Sequence, residues 1–184
     1  YYAKIAATSE YRDHAQLKTA INLDRMGAHK DALRMLDAMI KKSPEAYDLL
    51  IAKADLLRIH QHLDEAGEGY TQRLEIIPGF EPVHWPIFFA RGTCLERLGK
   101  WEQAEADFEQ ALSLKPEQPD VLNYLGFSWL VRGERVAEAR DMIEMAAKAK
   151  PNDPQIADSL GWAYYMLGDY EKAVDEVEKA LQLL

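Results

Sequence analysis

Five alanines recur along the chain, each followed four places later by a bulky residue: Ala32 with Leu36, Ala66 with Tyr70, Ala104 with Phe108, Ala139 with Ile143, and Ala173 with Val177. Their separations are 34, 38, 35 and 34 residues, a period at which one supersecondary unit is repeated and stacked rather than one core assembled from distant segments. The two longer strides have local causes, four additional residues in the stretch 80–84 and one in the turn 133–137. The windows that follow are 13–46, 47–80, 85–118, 119–153 and 154–184, with 81–84 as an insertion between repeats. Residues 1–12 fall in register with the second helix of a preceding window. The chain opens on Tyr1 and closes on Leu184 where another unit would begin, so it reads as a piece of a longer array.

Within each window, apolar residues three or four apart predict two short amphipathic helices joined by a turn. Gly27, Gly99, Gly133 and Gly168 mark the inner turn, and Pro44, Pro78, Pro116 and Pro151 end the second helix, since proline offers no N–H to the helical ladder. Ala20, Ala54, Gly92, Gly126 and Gly161 take the matching place in each first helix, where a larger side chain would hold the partner helix away.

These positions resemble the tetratricopeptide repeat, whose pattern runs W-x2-L-G-x2-Y, then A-x3-F, then a later Pro. The resemblance covers 13–184 and is strongest at Leu160, Gly161, Tyr164, Ala173 and Ala180, and at Gly92, Trp101, Ala104, Phe108, Ala111 and Pro116. The first two windows depart from it, with Ala20 and Ala54 for the glycine and Gln61 at the inner turn. The fold it implies is all-α, a right-handed superhelical solenoid of antiparallel helix pairs whose first helices line a concave surface. A finer likeness lies in the runs 122–127 (LNYLGF) and 157–162 (ADSLGW). They are similar to bacterial envelope repeat proteins, including outer-membrane lipoprotein adaptors that bring a processing protease together with cell-wall hydrolases. That likeness implies a bacterial, periplasmic adaptor.

The resemblance places groove-facing residues about a turn before, one after and four after the small residue of each first helix. Those positions hold Asp24, Asp55, Arg58, Phe89, Thr93, Glu96, Asn123, Phe127, Leu130, Asp158, Trp162 and Tyr165, with Arg25 and Arg97 beside them. The first half of this face is charged and mixed in sign. The second offers Phe127, Leu130, Trp162 and Tyr165, which either anchor an apolar stretch of a partner or meet only neighbouring repeats. Leu17 and Ile21 stand where chaperone-tail binders of this family carry the first carboxylate-gripping Lys and Asn, which argues against that ligand. In the final helix, Val174, Val177, Leu181, Leu183 and Leu184 form an apolar face with no cap. This end is expected to dock on a neighbour, a second copy included, or to continue into further repeats.

No constellation for catalysis, cofactor or metal emerges. His60 and His62 are two apart and point to different sides of a helix, whereas helical metal pairs favour three or four. Cys94, the one cysteine, sits in a first helix as a small filler, with no histidine nominated to activate it. Gly92 to Lys100 imitates a phosphate loop, but its glycines are too far apart and Trp101 stands where a magnesium-binding hydroxyl belongs. With 22 basic and 31 acidic residues the net charge is −9, spread along the chain, against a nucleic-acid or anionic-membrane partner. Apolar runs are far shorter than the roughly 20 residues of a membrane span. The sequence therefore predicts a non-enzymatic scaffold that binds a protein or peptide. A substrate-recruiting arm of a larger enzyme and a self-assembly module are the alternatives.

Overall fold

The computed structural model describes residues 12–184, so the expectation for residues 1–11 lies outside the described part. Among the described residues ten α-helices follow one another in pairs: α1 (Arg12–Arg25) and α2 (His29–Lys42), α3 (Tyr47–Ile59) and α4 (Leu63–Glu75), α5 (Trp85–Arg97) and α6 (Trp101–Leu114), α7 (Pro119–Arg132) and α8 (Val136–Ala149), α9 (Pro154–Met166) and α10 (Tyr170–Leu183). A 3₁₀ turn, Pro82–His84, lies between α4 and α5. No strand occurs among the described residues. The chain divides into two compact units. The first holds the described residues through Phe80 together with Ala90–Ala104, and the second holds Glu81–Phe89 and Glu105–Leu184.

The alanine stride is the buried stripe of each second helix. Ala32, Leu36 and Met39 on α2, Ala139, Ile143 and Ala146 on α8, and Ala173 and Ala180 on α10 are all buried, at the four-then-three spacing that keeps one helix face inward. First helices are covered over more of their circumference. On α7, Val121, Leu122, Leu125, Gly126, Ser128, Trp129 and Leu130 are buried together, because α7 packs on both α8 and α9, while α9 packs on α7, α8 and α10. In the first unit, Ala20, Ala32, Leu36, Met39, Leu49 and Leu56 form one core cluster.

Close approach explains the small residues. A methyl group added at Gly126 would lie 2.9 Å from Ile143 Cγ1 and 3.0 Å from the Ala139 carbonyl oxygen, and one at Gly161 would lie 2.8 Å from Val177 Cγ2. The second window, which has Ala54 in place of glycine, keeps the spacing from the other side. A methyl at Gly69 on α4 would stand 3.0 Å from Ala54 Cβ, so the small residue has moved to the partner helix.

All five inner turns close with the same two backbone hydrogen bonds, as in Gly133 N–H to the Leu130 carbonyl and Glu134 N–H to the Trp129 carbonyl. Four carry a left-handed glycine, while Gln61 holds that conformation at φ 67° in the second pair, at a cost of roughly 1 kcal/mol for a residue with a Cβ. After α7, two residues rather than one separate the left-handed glycine from the next helix. The extra residue, Arg135, is also left-handed at φ 45°. Its guanidinium stacks 3.9 Å from the Trp129 ring and donates from Nε to Glu138 Oε2 at 2.8 Å. Between helices of the second unit, the Tyr164 hydroxyl donates to Glu144 Oε1 at 2.8 Å. Burial and this carboxylate push the phenol up to about 12.

The surroundings of the two glycines differ, because Ile143 is fully buried whereas Val177 is 39% exposed and has open space beside it. Gly126→Ala is expected to destabilise the protein by about 1–3 kcal/mol, and Gly161→Ala by less. Thermal melts followed by circular dichroism check this, and an equal or reversed order would contradict the packing described.

Candidate functional site

In the second unit, α7, α9 and α10 enclose a groove of about 960 Å³. Along α9 the glycine that admits α10 is followed by Trp162, rotated about 100° away from the contact, and by Tyr165 one turn further on. Their rings stack with centroids 5.3 Å apart at 20°. The left-handed turn at Gly168 then folds the chain back so that Tyr170, the first residue of α10, meets Tyr165 at 5.6 Å. Phe127 enters from α7 at the position equivalent to Trp162. These four aromatics are between 38% and 63% exposed, although each lines or adjoins apolar surface. Val131, Met166, Val174 and Val177 complete the walls, and Asp158, Glu178 and Arg132 supply charge.

The groove therefore brings together five residues expected from the sequence: Phe127, Leu130, Asp158, Trp162 and Tyr165. Leu130 differs in role from the expectation. It is only 1% exposed and forms floor, whereas its neighbour Val131, 66% exposed, presents the side chain at that turn. Val131, Met166, Tyr170, Val174 and Val177 were missed as groove residues. The rule used covered first helices alone, whereas Val174 and Val177 come from the second helix. Of that helix's apolar face, expected as a docking end, Val174 and Val177 form one wall of the same groove, whereas Leu181 and Leu184 lie outside it.

The remaining candidates do not line the groove. Phe89 packs edge-on against Tyr124 at 5.7 Å and near Phe108 at 6.0 Å, an aromatic cluster of the second unit's interior. Asn123 is partly covered, and its Oδ1 is buried without a hydrogen-bond partner. In the first unit, Asp55 accepts from the buried Tyr70 hydroxyl at 2.7 Å, and Arg58 Nε donates to the same hydroxyl at 3.2 Å. Burial and the Asp55 carboxylate raise the Tyr70 phenol far above its ordinary value. This network ties α3 to α4. Arg97 donates to the Gln61 side chain, Thr93 donates to the Ala90 carbonyl at 2.8 Å, and Arg25 is exposed. Glu96 is half-buried. Cys94 is buried and its thiol is pushed up by that burial, consistent with the expected filler.

Asp24, also expected on the groove face, sits between two histidines. Its Oδ1 lies 2.7 Å from His29 Nδ1 and 2.7 Å from His60 Nε2. Burial alone would raise the carboxyl, but the hydrogen bonds and charges of the two histidines outweigh it and hold Asp24 below the usual carboxylate range. The partner of His60 stands 36 residues away, which spacing along one helix does not reveal.

A family model described as Tetratricopeptide repeat matches residues 17–79 and 89–154, and a second with the same description matches 154–184. A TPR repeat-containing protein of Pseudomonas aeruginosa is 28% identical over 143 residues, or 77% of this chain. The chain spans 23% of that relative's length. Among solved structures, MamA is similar with a TM-score of 0.75 at 19% identity, covering 89% of this chain and 93% of that one. YrrB, described as a TPR protein with an unusual peptide-binding site, gives 0.71 at 16% identity, covering 99% of this chain and 91% of that one. No helix among the described residues is long and apolar enough to cross a membrane.

Trp101 and Trp129 are buried and Trp85 is half-buried, so Trp162 is expected to supply most of the emission that a polar quencher reaches. Acrylamide quenching should fall clearly in Trp162→Phe, and an unchanged quenching constant would place that ring inside the fold.

Proposed function

This chain belongs to the tetratricopeptide-repeat family, and from that premise we propose that it is a non-enzymatic scaffold that binds a partner protein in the groove of its second unit. The repeats make it a protein–protein interaction scaffold. One observation carries the groove assignment: Trp162 stacks on Tyr165, Tyr170 tilts against Tyr165, and Phe127 lines the same open apolar groove. Four exposed aromatics in one patch are costly to leave in water, and a patch of this kind marks an interaction surface. Rigid aromatic rings lose little entropy on binding and fill a partner's apolar contacts well.

The occupant that fits is an extended or helical segment with two or more apolar anchors. A basic group on that segment would meet Asp158 and Glu178 on the walls. Asp55 and Arg58 support the first unit through Tyr70 rather than the proposed contact. Recognition then comes from the spacing of the aromatics, and no bond is made or broken. An adaptor role in the bacterial envelope rests on the runs 122–127 and 157–162 alone. Self-association through α10 is a second reading, favoured by the exposure of Val174, Leu181 and Leu184.

A peptide library selected on the wild-type chain should yield apolar-anchored sequences. Alanine at both Phe127 and Trp162 is expected to weaken the selected peptides at least tenfold, about 1.4 kcal/mol or more, with the circular dichroism spectrum unchanged. Undiminished affinity in a folded double variant would contradict the groove assignment.

A further inference from the structure

Three helix ends of the first unit converge on one carboxylate. Asp24 is in the last turn of α1, His29 is the first residue of α2, and His60 follows the last residue of α3. The imidazole rings lie face to face at a tilt, with centroids 3.8 Å apart, and the three donor atoms all fall within 4.8 Å of one another. The repeat framework does not require them. In the repeat register the same three places hold Arg58, Leu63 and Leu98 at the next junction, and Glu96, Trp101 and Arg132 at the one after.

Two imidazoles directed at a single carboxylate oxygen form a hydrogen-bonded cluster that a divalent cation can replace, with one ion taking the place of the bridging protons. We propose that Asp24, His29 and His60 form a binding site for a divalent transition-metal ion of the zinc class, with a fourth coordination position open to water.

The donor set selects the ion. Two imidazole nitrogens and one carboxylate oxygen suit zinc, cobalt, nickel and copper better than magnesium or calcium, which prefer all-oxygen ligands. Tetrahedral ligands at bond lengths near 2.0–2.1 Å stand roughly 3.3 Å apart, so Asp24 must part from each histidine by roughly half an ångström. That movement is small for side chains at helix ends. Asp24 is well covered, with 13% of its side chain exposed, while His29 is 46% exposed, which leaves the open position on the His29 side. An ion held there would pin α1, α2 and the end of α3 together and stabilise the first unit by linkage. This site is independent of the groove, which lies wholly in the second unit.

The test is calorimetric titration of the untagged, chelator-treated chain with Zn²⁺. One ion per chain is expected, with affinity at least tenfold weaker in His29→Gln and in His60→Gln. A rise in melting temperature at saturating Zn²⁺ should appear in the wild type and vanish in the double variant. Cobalt(II) absorption of the wild type gives a readout that needs no variant. It should show the visible bands of four-coordinate nitrogen and oxygen ligation, without a thiolate charge-transfer band. Absence of stoichiometric uptake, equal affinity in the folded double variant, or a thiolate band pointing to Cys94 would overturn the proposal.

Discussion

The nearness of two helices at one small residue is the constraint on which the rest of this structure depends. At Gly126 and Gly161 no space exists for a methyl group, so the backbone of the first helix rests directly on the stripe of its partner. That contact fixes the rotation of the first helix. Once the glycine faces the partner, the next residue is turned about 100° away, and Phe127 and Trp162 emerge half-exposed because of it. Packing and presentation are two consequences of the same registration. Where Ala54 replaces glycine, Gly69 restores the clearance from the opposite helix, which shows that the distance is held and the residue supplying it can change sides.

The two units use this frame for different chemistry. In the second, the positions beside the glycines are aromatic and the second helix adds valines, so the result is an apolar groove with acidic residues on its walls. In the first, the corresponding places carry Asp24, Asp55 and Arg58, which are drawn into hydrogen-bond networks with His29, His60 and Tyr70. A half-buried carboxylate or guanidinium needs partners close by, and the first unit provides them internally.

Much of the fold was legible because periodicity reports directly on burial: the alanine stride, the glycine turns and the prolines each answer to a local backbone or packing requirement. The extra residue in the turn after α7 was visible too, though its left-handed conformation and its seat on Trp129 were not. The site was legible only in part. A rule based on first helices found Trp162 and Tyr165 but could not see Tyr170, which reaches them only because the Gly168 turn reverses the chain. It misread Leu130, since a position four beyond the glycine lies at the edge of the buried arc and small rotations decide between floor and wall. Phe89 was misread because its aromatic neighbours, Phe108 and Tyr124, lie in the two following helices. His29 and His60 escaped for the same reason, their meeting being set by three helix ends rather than by spacing within one.

The central claim is that the groove of the second unit receives the partner. Methyl-labelled nuclear magnetic resonance of the chain with a selected apolar peptide tests it most directly. Shifts are expected to concentrate on the methyl groups of Val131, Met166, Val174 and Val177. Shifts centred on Met145 of α8, or on the methyls of the first unit, with those four unmoved, would contradict it.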